Sequence, residues 1–158
     1  MKSDKSSLTF RIITIILTVS MVLFAFIHSM MPATVSAEES GGILILIETF
    51  LKNIGINASI SEYIIRKSAH FAEFSLIGGL LTTCAYSFNR KKPYIYYAHI
   101  LFCGLAVAVC DETIQLNVVG RSGQVSDIIL DFCGIVFGTL FMLIAFMIYK
   151  QIRKSNAR

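Results

Sequence analysis

Apolar residues in this chain come in long uninterrupted blocks, not in the alternating or one-sided patterns of soluble strands and helices. The first block runs from Leu8 to Met31, and the polar stretch Pro32 to Gly42 that follows could not lie in a bilayer core. A second block, Ala69 to Phe88, ends at the basic run Asn89-Arg90-Lys91-Lys92, a third runs from Tyr94 to Thr113 after the break at Pro93, and the fourth is Ile128 to Tyr149. The pattern predicts an all-α membrane protein, a four-transmembrane-helix bundle with spans at about 8–31, 69–88, 94–113 and 128–149. Between the first two spans, Ile43 to Leu51 is too short to cross and reads as a short interfacial helix on the outer leaflet, with Glu48 and Lys52 paired at i,i+4. Ser59 followed by Glu62 is a capping-box pattern that starts the second spanning helix near residue 60.

Composition sharpens this picture. The chain has 158 residues, 55% hydrophobic and 15% charged, with a mean hydropathy of +0.70, which excludes a soluble single-domain enzyme. No repeat, linker or like-charge tail divides it, so residues 1–158 read as one domain. Ten of the 14 Lys and Arg residues fall at the two termini and in the 89–93 turn, whereas Lys52, Arg66, Lys67 and Arg121 fall on the other side. The positive-inside rule then places both termini in the cytoplasm and the loops 32–66 and 114–126 outside. The net charge of +4 fits this topology and gives no reason to expect nucleic acid. Among the acids only Asp4 lies on the cytoplasmic side, so the chemistry gathers on the outer face.

The basic start, the apolar core and Val35-Ser36-Ala37 also fit a cleavable signal peptide. The 16-residue core from Ile12 to Ile27 is longer than a usual signal core and favours a retained anchor. Cys84, Cys103, Cys110 and Cys133 lack CxxC or Cys/His spacing and are expected to pack as apolar residues. Tyr94, Tyr96 and Tyr97 form an interfacial aromatic belt, and His28 and His99 stand alone without an assigned role.

Helical arithmetic finds a polar constellation. Arg66, His70 and Glu73 share one helix face, while Ser68, Ala72, Ser75 and Gly79 form a small-residue stripe nearly opposite. Gly104, Ala108, Asp111 and Gln115 repeat the register in the third span, and Asp127, Asp131, Gly134 and Gly138 do so in the fourth. Glu73, Asp111, Asp127 and Asp131 lie in the outer half of the bundle, and an ionised side chain costs about 2.5–3.5 kcal/mol at the helix centre unless it is partnered. Arg66, Lys67, His70 and Arg121, the last in the turn Gly120-Arg121-Ser122-Gly123, are the available bases, leaving an acidic balance unless a cation or protons join it. A register-fixing salt-bridge network would use these residue types, but so many polar groups converging from three helices point to a pocket open to the outer leaflet. His70-x-x-Glu73 with Asp111 or Asp127 could hold a divalent ion, but it lacks a second His, so neither metal nor cofactor is expected.

The strings RKSAHFAEF (66–74), DETIQ (111–115), GRSGQVSD (120–127) and DFCG (131–134) resemble the VanZ-like family of small bacterial membrane proteins. The likeness covers roughly residues 29–138, and HSMMPATVSAEES resembles the Ser/Pro-rich stretch after that family's first helix. Phe74 stands where the family usually has Tyr, Val119 where Pro often precedes Gly-Arg, and Asp131 where Asn is frequent. The resemblance implies a bacterial cell-membrane protein of the envelope, associated with low-level teicoplanin resistance, with Arg66, His70, Glu73, Asp111, Glu112, Gln115, Gly120, Arg121, Asp127 and Asp131 as its functional set.

Three functions compete at this point. The favoured one is an accessory envelope factor whose outer pocket binds an amphiphilic or lipid-linked ligand in the lipid bilayer. The second is an intramembrane enzyme on a lipid-linked precursor, with Glu73 or Asp111 as base, His70 as proton shuttle and Arg66 and Arg121 holding an anion. The third is a structural membrane protein. Neither a nucleophile nor a phosphate-cradling loop is recognisable, and oligomeric state is not legible.

Overall fold

A computed structural model describes residues 6–57, 59–90 and 92–156; Lys2, Asp4, Lys5, Lys91 and Arg158 of the charge tally lie outside them. Helices follow in the order α1 (Leu8–Ser29), α2 (Ala33–Asn53), α3 (Glu62–Phe88), a 3-10 turn (Pro93–Tyr96), α4 (Tyr97–Gln115) and α5 (Val125–Ser155). Four stretches, Leu8–Ser29, Glu62–Phe88, Tyr94–Gln115 and Val125–Ser155, are long and apolar enough to cross a membrane, as the hydrophobic blocks predict.

The distribution of polarity is inverted relative to a soluble protein. Among the described residues, fifteen polar or charged side chains are buried against eight apolar ones, while Leu46, Phe102, Phe141 and many others face outward. An apolar exterior needs an apolar solvent, so the bundle's interior is free to hold what lipid cannot. Several buried hydroxyls are satisfied within their own helices: Thr18 donates to Thr14 O at 2.7 Å and Thr82 to Gly78 O at 2.8 Å.

Helix α3 is central and packs against α1, α2, α4 and α5. Its tightest neighbour is α5, through Ser75, Gly134 and Gly138, which the spacing picked out, and Gly78, which it did not. A Cβ on Gly138 would meet the Ser75 carbonyl, and one on Gly78 the Ile135 carbonyl, so both positions must lack a side chain for the backbones to touch. Gly104 of α4 likewise leaves room for the Ile135 side chain. The outer part of the α3 stripe, Ser68 and Ala72, is exposed instead of packed.

Two elements differ from the sequence-based expectation. The interfacial segment is a 21-residue helix, α2, starting directly after Pro32. Its inward positions are Ser36 and Ser40, small enough to approach α3, with Ser40 Oγ returning its hydroxyl to Ser36 O at 2.8 Å. Polarity therefore marks a packed face here, not a loop. The second difference is the α3 cap, which is Ser61 and not Ser59: Ser61 Oγ accepts from Ile64 N, and Glu62 becomes the first helical residue. Ile60 N donates to Glu48 Oε1 at 3.4 Å, tying the chain just before α3 to α2 and giving Glu48 a partner other than Lys52. An exposed i,i+4 pair is worth only about 0.2–0.5 kcal/mol and does not compete.

Both ends of the bundle are defined by contacts. At one, Ser6 N donates to Ser87 O at 3.0 Å, Arg11 lies over the Phe88 ring, and Arg90 and Lys150 flank Tyr86. The described basic residues of the N-terminal helix, the 89–92 turn and the α5 terminus thus share one end. At the other end, Ala33 N donates to Val119 O at 3.3 Å, seating the 116–124 loop over the α1–α2 junction. The cysteines are free, and Cys103, Cys110 and Cys133 face outward instead of packing inside.

Candidate functional site

The polar residues converge at the loop-covered end. Pro32 ends α1 at Ser29, which brings the last turn of α1 beside the last turn of α4. Ser29 Oγ donates to Asp111 Oδ1 at 2.7 Å, and Gln115 Nε2 donates to Asp111 Oδ2 at 2.8 Å from one turn further along α4. Asp111 is fully buried and held on both oxygens. Gly104, Ala108, Asp111 and Gln115 are all buried, as their common register predicts.

Across from Asp111, α3 contributes His70 and Glu73, and α5 contributes Asp131. Asp131 is 1% exposed, yet neither carboxylate oxygen has a hydrogen-bond donor among the described residues, and His70 Nδ1 lies 4.0 Å from Oδ1. Glu73 is similar: Oε1 is buried without a partner and Oε2 lies 3.8 Å from His28 Nδ1. One donor atom each from His70, Asp111 and Asp131 lie within 4.8 Å of one another.

Above this inner cluster lies a cavity of about 100 Å³, lined by Arg66, Lys67, His70, Gln115, Arg121 and Asp127 among others. Lys67 and Asp127 form an ion pair that joins α3 to the first turn of α5. Arg121 donates to the His28 carbonyl at 3.3 Å, beside the Met31 N–H that the same oxygen accepts, placing a cation at the negative end of the α1 dipole. Burial pulls the Arg121 guanidinium below its usual pKa, Asp111 opposes that and the Arg66 charge adds to it; the group stays cationic. Gly120 supplies the turn that aims Arg121 inward, with φ +77, a conformation that favours glycine.

The ten sequence-predicted residues therefore divide. Arg66, His70, Gln115, Gly120, Arg121 and Asp127 line the cavity, and Glu73, Asp111 and Asp131 lie buried beneath it. Glu112 is 4% exposed and works on the scaffold: its Oε2 accepts from Gln124 N at 3.0 Å, tethering the loop at the start of α5. His70 and Glu73 do share a face, but the structure joins His70 to Asp111 and Asp131 and turns Glu73 toward His28.

His28, Glu39 and Ser29 had no assigned role in the sequence, and Lys67 was legible only as an available base. His28 bridges Glu39 of α2 at 3.1 Å and Glu73 of α3, Ser29 anchors Asp111, and Lys67 holds Asp127. A signal did exist for His28, because an ionisable residue inside a spanning segment is itself a mark of function.

A protein-family model described as VanZ/LLP1 matches residues 14–148, most of the chain. No curated protein and no solved structure matches.

Proposed function

The chain belongs to the VanZ/LLP1 family, and from that premise we propose that this membrane protein binds the anionic headgroup of an amphiphilic, lipid-linked envelope ligand in its polar cavity. One observation carries this reading. The cavity shares Tyr63 and Lys67 with a cleft that reaches Phe71, and Phe71 opens an apolar groove of about 670 Å³ along α3 and α5. Leu76, Leu80, Phe137 and Phe141 line that groove with Phe71, an apolar surface that suits a chain of methylenes. A cation-lined cavity and an apolar groove, with a cleft between them that shares lining residues with each, have the two-part shape of an amphiphile.

Size limits the headgroup. A cavity of about 100 Å³ holds the volume of roughly three waters, enough for a phosphate-sized group but not for a sugar with its peptide. Arg66, Lys67 and Arg121 offer the donors that phosphate oxygens take. In this reading the protein resides in the bacterial cell membrane with both termini cytoplasmic, α1 is retained because it supplies His28 and Ser29, and occupancy of the cavity lowers lipoglycopeptide access to cell-wall precursors.

The test uses the full chain in detergent, titrated with a long-chain polyprenyl phosphate and with the matching polyprenol. We expect the phosphate to bind at least about tenfold tighter, as one charge-assisted contact of ~1.4 kcal/mol or more requires, and Arg66→Gln to erase that advantage. Equal binding of the two would remove the headgroup assignment. In a susceptible Gram-positive host, wild type should raise the teicoplanin inhibitory concentration relative to vancomycin, and Asp111→Asn at matched membrane level should not.

A further inference from the structure

His70, Asp111 and Asp131 come from three different helices, α3, α4 and α5, and converge with one donor atom each within 4.8 Å of the other two. A divalent ion bound to nitrogen and oxygen at about 2.0–2.2 Å holds neighbouring donors roughly 3–4 Å apart, so the triad closes on an ion with side-chain adjustments of under an ångström. Among the described residues no Lys or Arg forms an ion pair with Asp111 or Asp131: Lys67 pairs with Asp127, and Arg121 donates to the His28 carbonyl and acts on the cluster only from a distance.

An independent observation comes from Asp131 itself. It is 1% exposed, points both oxygens into the cluster and finds no hydrogen-bond donor for either among the described residues. A buried carboxylate left in that state costs several kcal/mol, and a fixed cation is one of the few groups that would offset the cost. Asp111 is prepared in the complementary way: Ser29 and Gln115 each donate to one of its oxygens, fixing its orientation while leaving a lone pair on each free.

We propose that His70, Asp111 and Asp131 form a binding site for a first-row divalent cation, Zn²⁺ or Mn²⁺, at the floor of the polar cavity. One imidazole with two carboxylates suits these ions better than Mg²⁺ or Ca²⁺, which favour all-oxygen shells. The three protein ligands leave coordination positions open, and since His70 also lines the cavity, those positions face it. The ion would meet an anion held by Arg66 and Arg121, although the site itself requires no lipid ligand and stands whether or not one binds.

The experiment takes full-length protein in detergent, stripped with a chelator and dialysed against Zn²⁺, Mn²⁺ or Mg²⁺ before metal analysis. One Zn²⁺ or Mn²⁺ per chain is expected, with weaker Mg²⁺ binding. Asp131→Asn and His70→Gln should each weaken binding by more than about a hundredfold, beyond what losing an outer-shell partner costs, and Glu48→Gln, remote from the cluster, should leave it unchanged. Pulsed electron paramagnetic resonance of the Mn²⁺-loaded wild type should show coupling to an imidazole nitrogen, a readout that needs no variant to fold. Absence of a stoichiometric ion on helical, monodisperse wild type, absence of nitrogen coupling, or unchanged binding in folded Asp131→Asn would each overturn the proposal.

Discussion

The bond from Ser29 Oγ to Asp111 Oδ1 crosses 82 positions of sequence and ties the end of the first span to the buried acid of the third. A hydroxyl donating to a carboxylate in a buried setting is among the stronger protein hydrogen bonds, about 1.5–3 kcal/mol, because water cannot replace the donor. Ser29→Ala should lower the stability of the solubilised protein by about that amount. With no Trp in the chain, the thermal transition is best followed by circular dichroism at 222 nm. An unchanged midpoint would mean that Asp111 finds another donor. Residues of this kind were hard to read from the chain. Asp111, Gln115 and Asp131 announced themselves through helical spacing, whereas Ser29 and His28 are single polar residues at the end of an apolar run, and spacing says nothing about a partner on another helix.

At the scale of elements, glycine content reports contact where the backbone needs it and nothing where it does not. Gly138 of α5 sits so close to Ser75 of α3 that a methyl group would meet the carbonyl, so Gly138→Ala should push the two helices apart and cost about 1–3 kcal/mol as overpacking does. Gly41 of α2 has nothing within 4 Å, and Gly41→Ala should stabilise that helix by up to about 1 kcal/mol through reduced backbone entropy. Thermal midpoints moving in opposite directions would bear this out, and a harmless Gly138→Ala would sink the close-contact argument. The four spans were legible because lipid imposes one long apolar block per crossing. Helix α2 was legible only in its apolar half, because Ser36, Glu38, Glu39, Ser40 and Gly42 have the composition of a loop. What makes them helical is tertiary: Ser36 and Ser40 pack inward, and Glu39 reaches His28.

For the whole molecule the decisive quantity is which end of the bundle faces out. The structure gathers Arg11, Arg90 and Lys150 around Tyr86 and Phe88 at one end, and the cavity with its loop at the other. Helix α5, at 31 residues, is about 46 Å long and exceeds a ~30 Å hydrocarbon core, so its basic last turn extends beyond the lipid. In the proposed orientation, with positive charge on the cytoplasmic side, the cavity faces outside. In a background with the four cysteines replaced, Ser122→Cys should react with a membrane-impermeant maleimide on intact cells, and Ser155→Cys only after permeabilisation. The reverse pattern would turn the cavity to the cytoplasm. The cavity could then still take an anionic lipid headgroup, but one presented from the inner leaflet, where it could not shield a precursor from a lipoglycopeptide acting outside the cell.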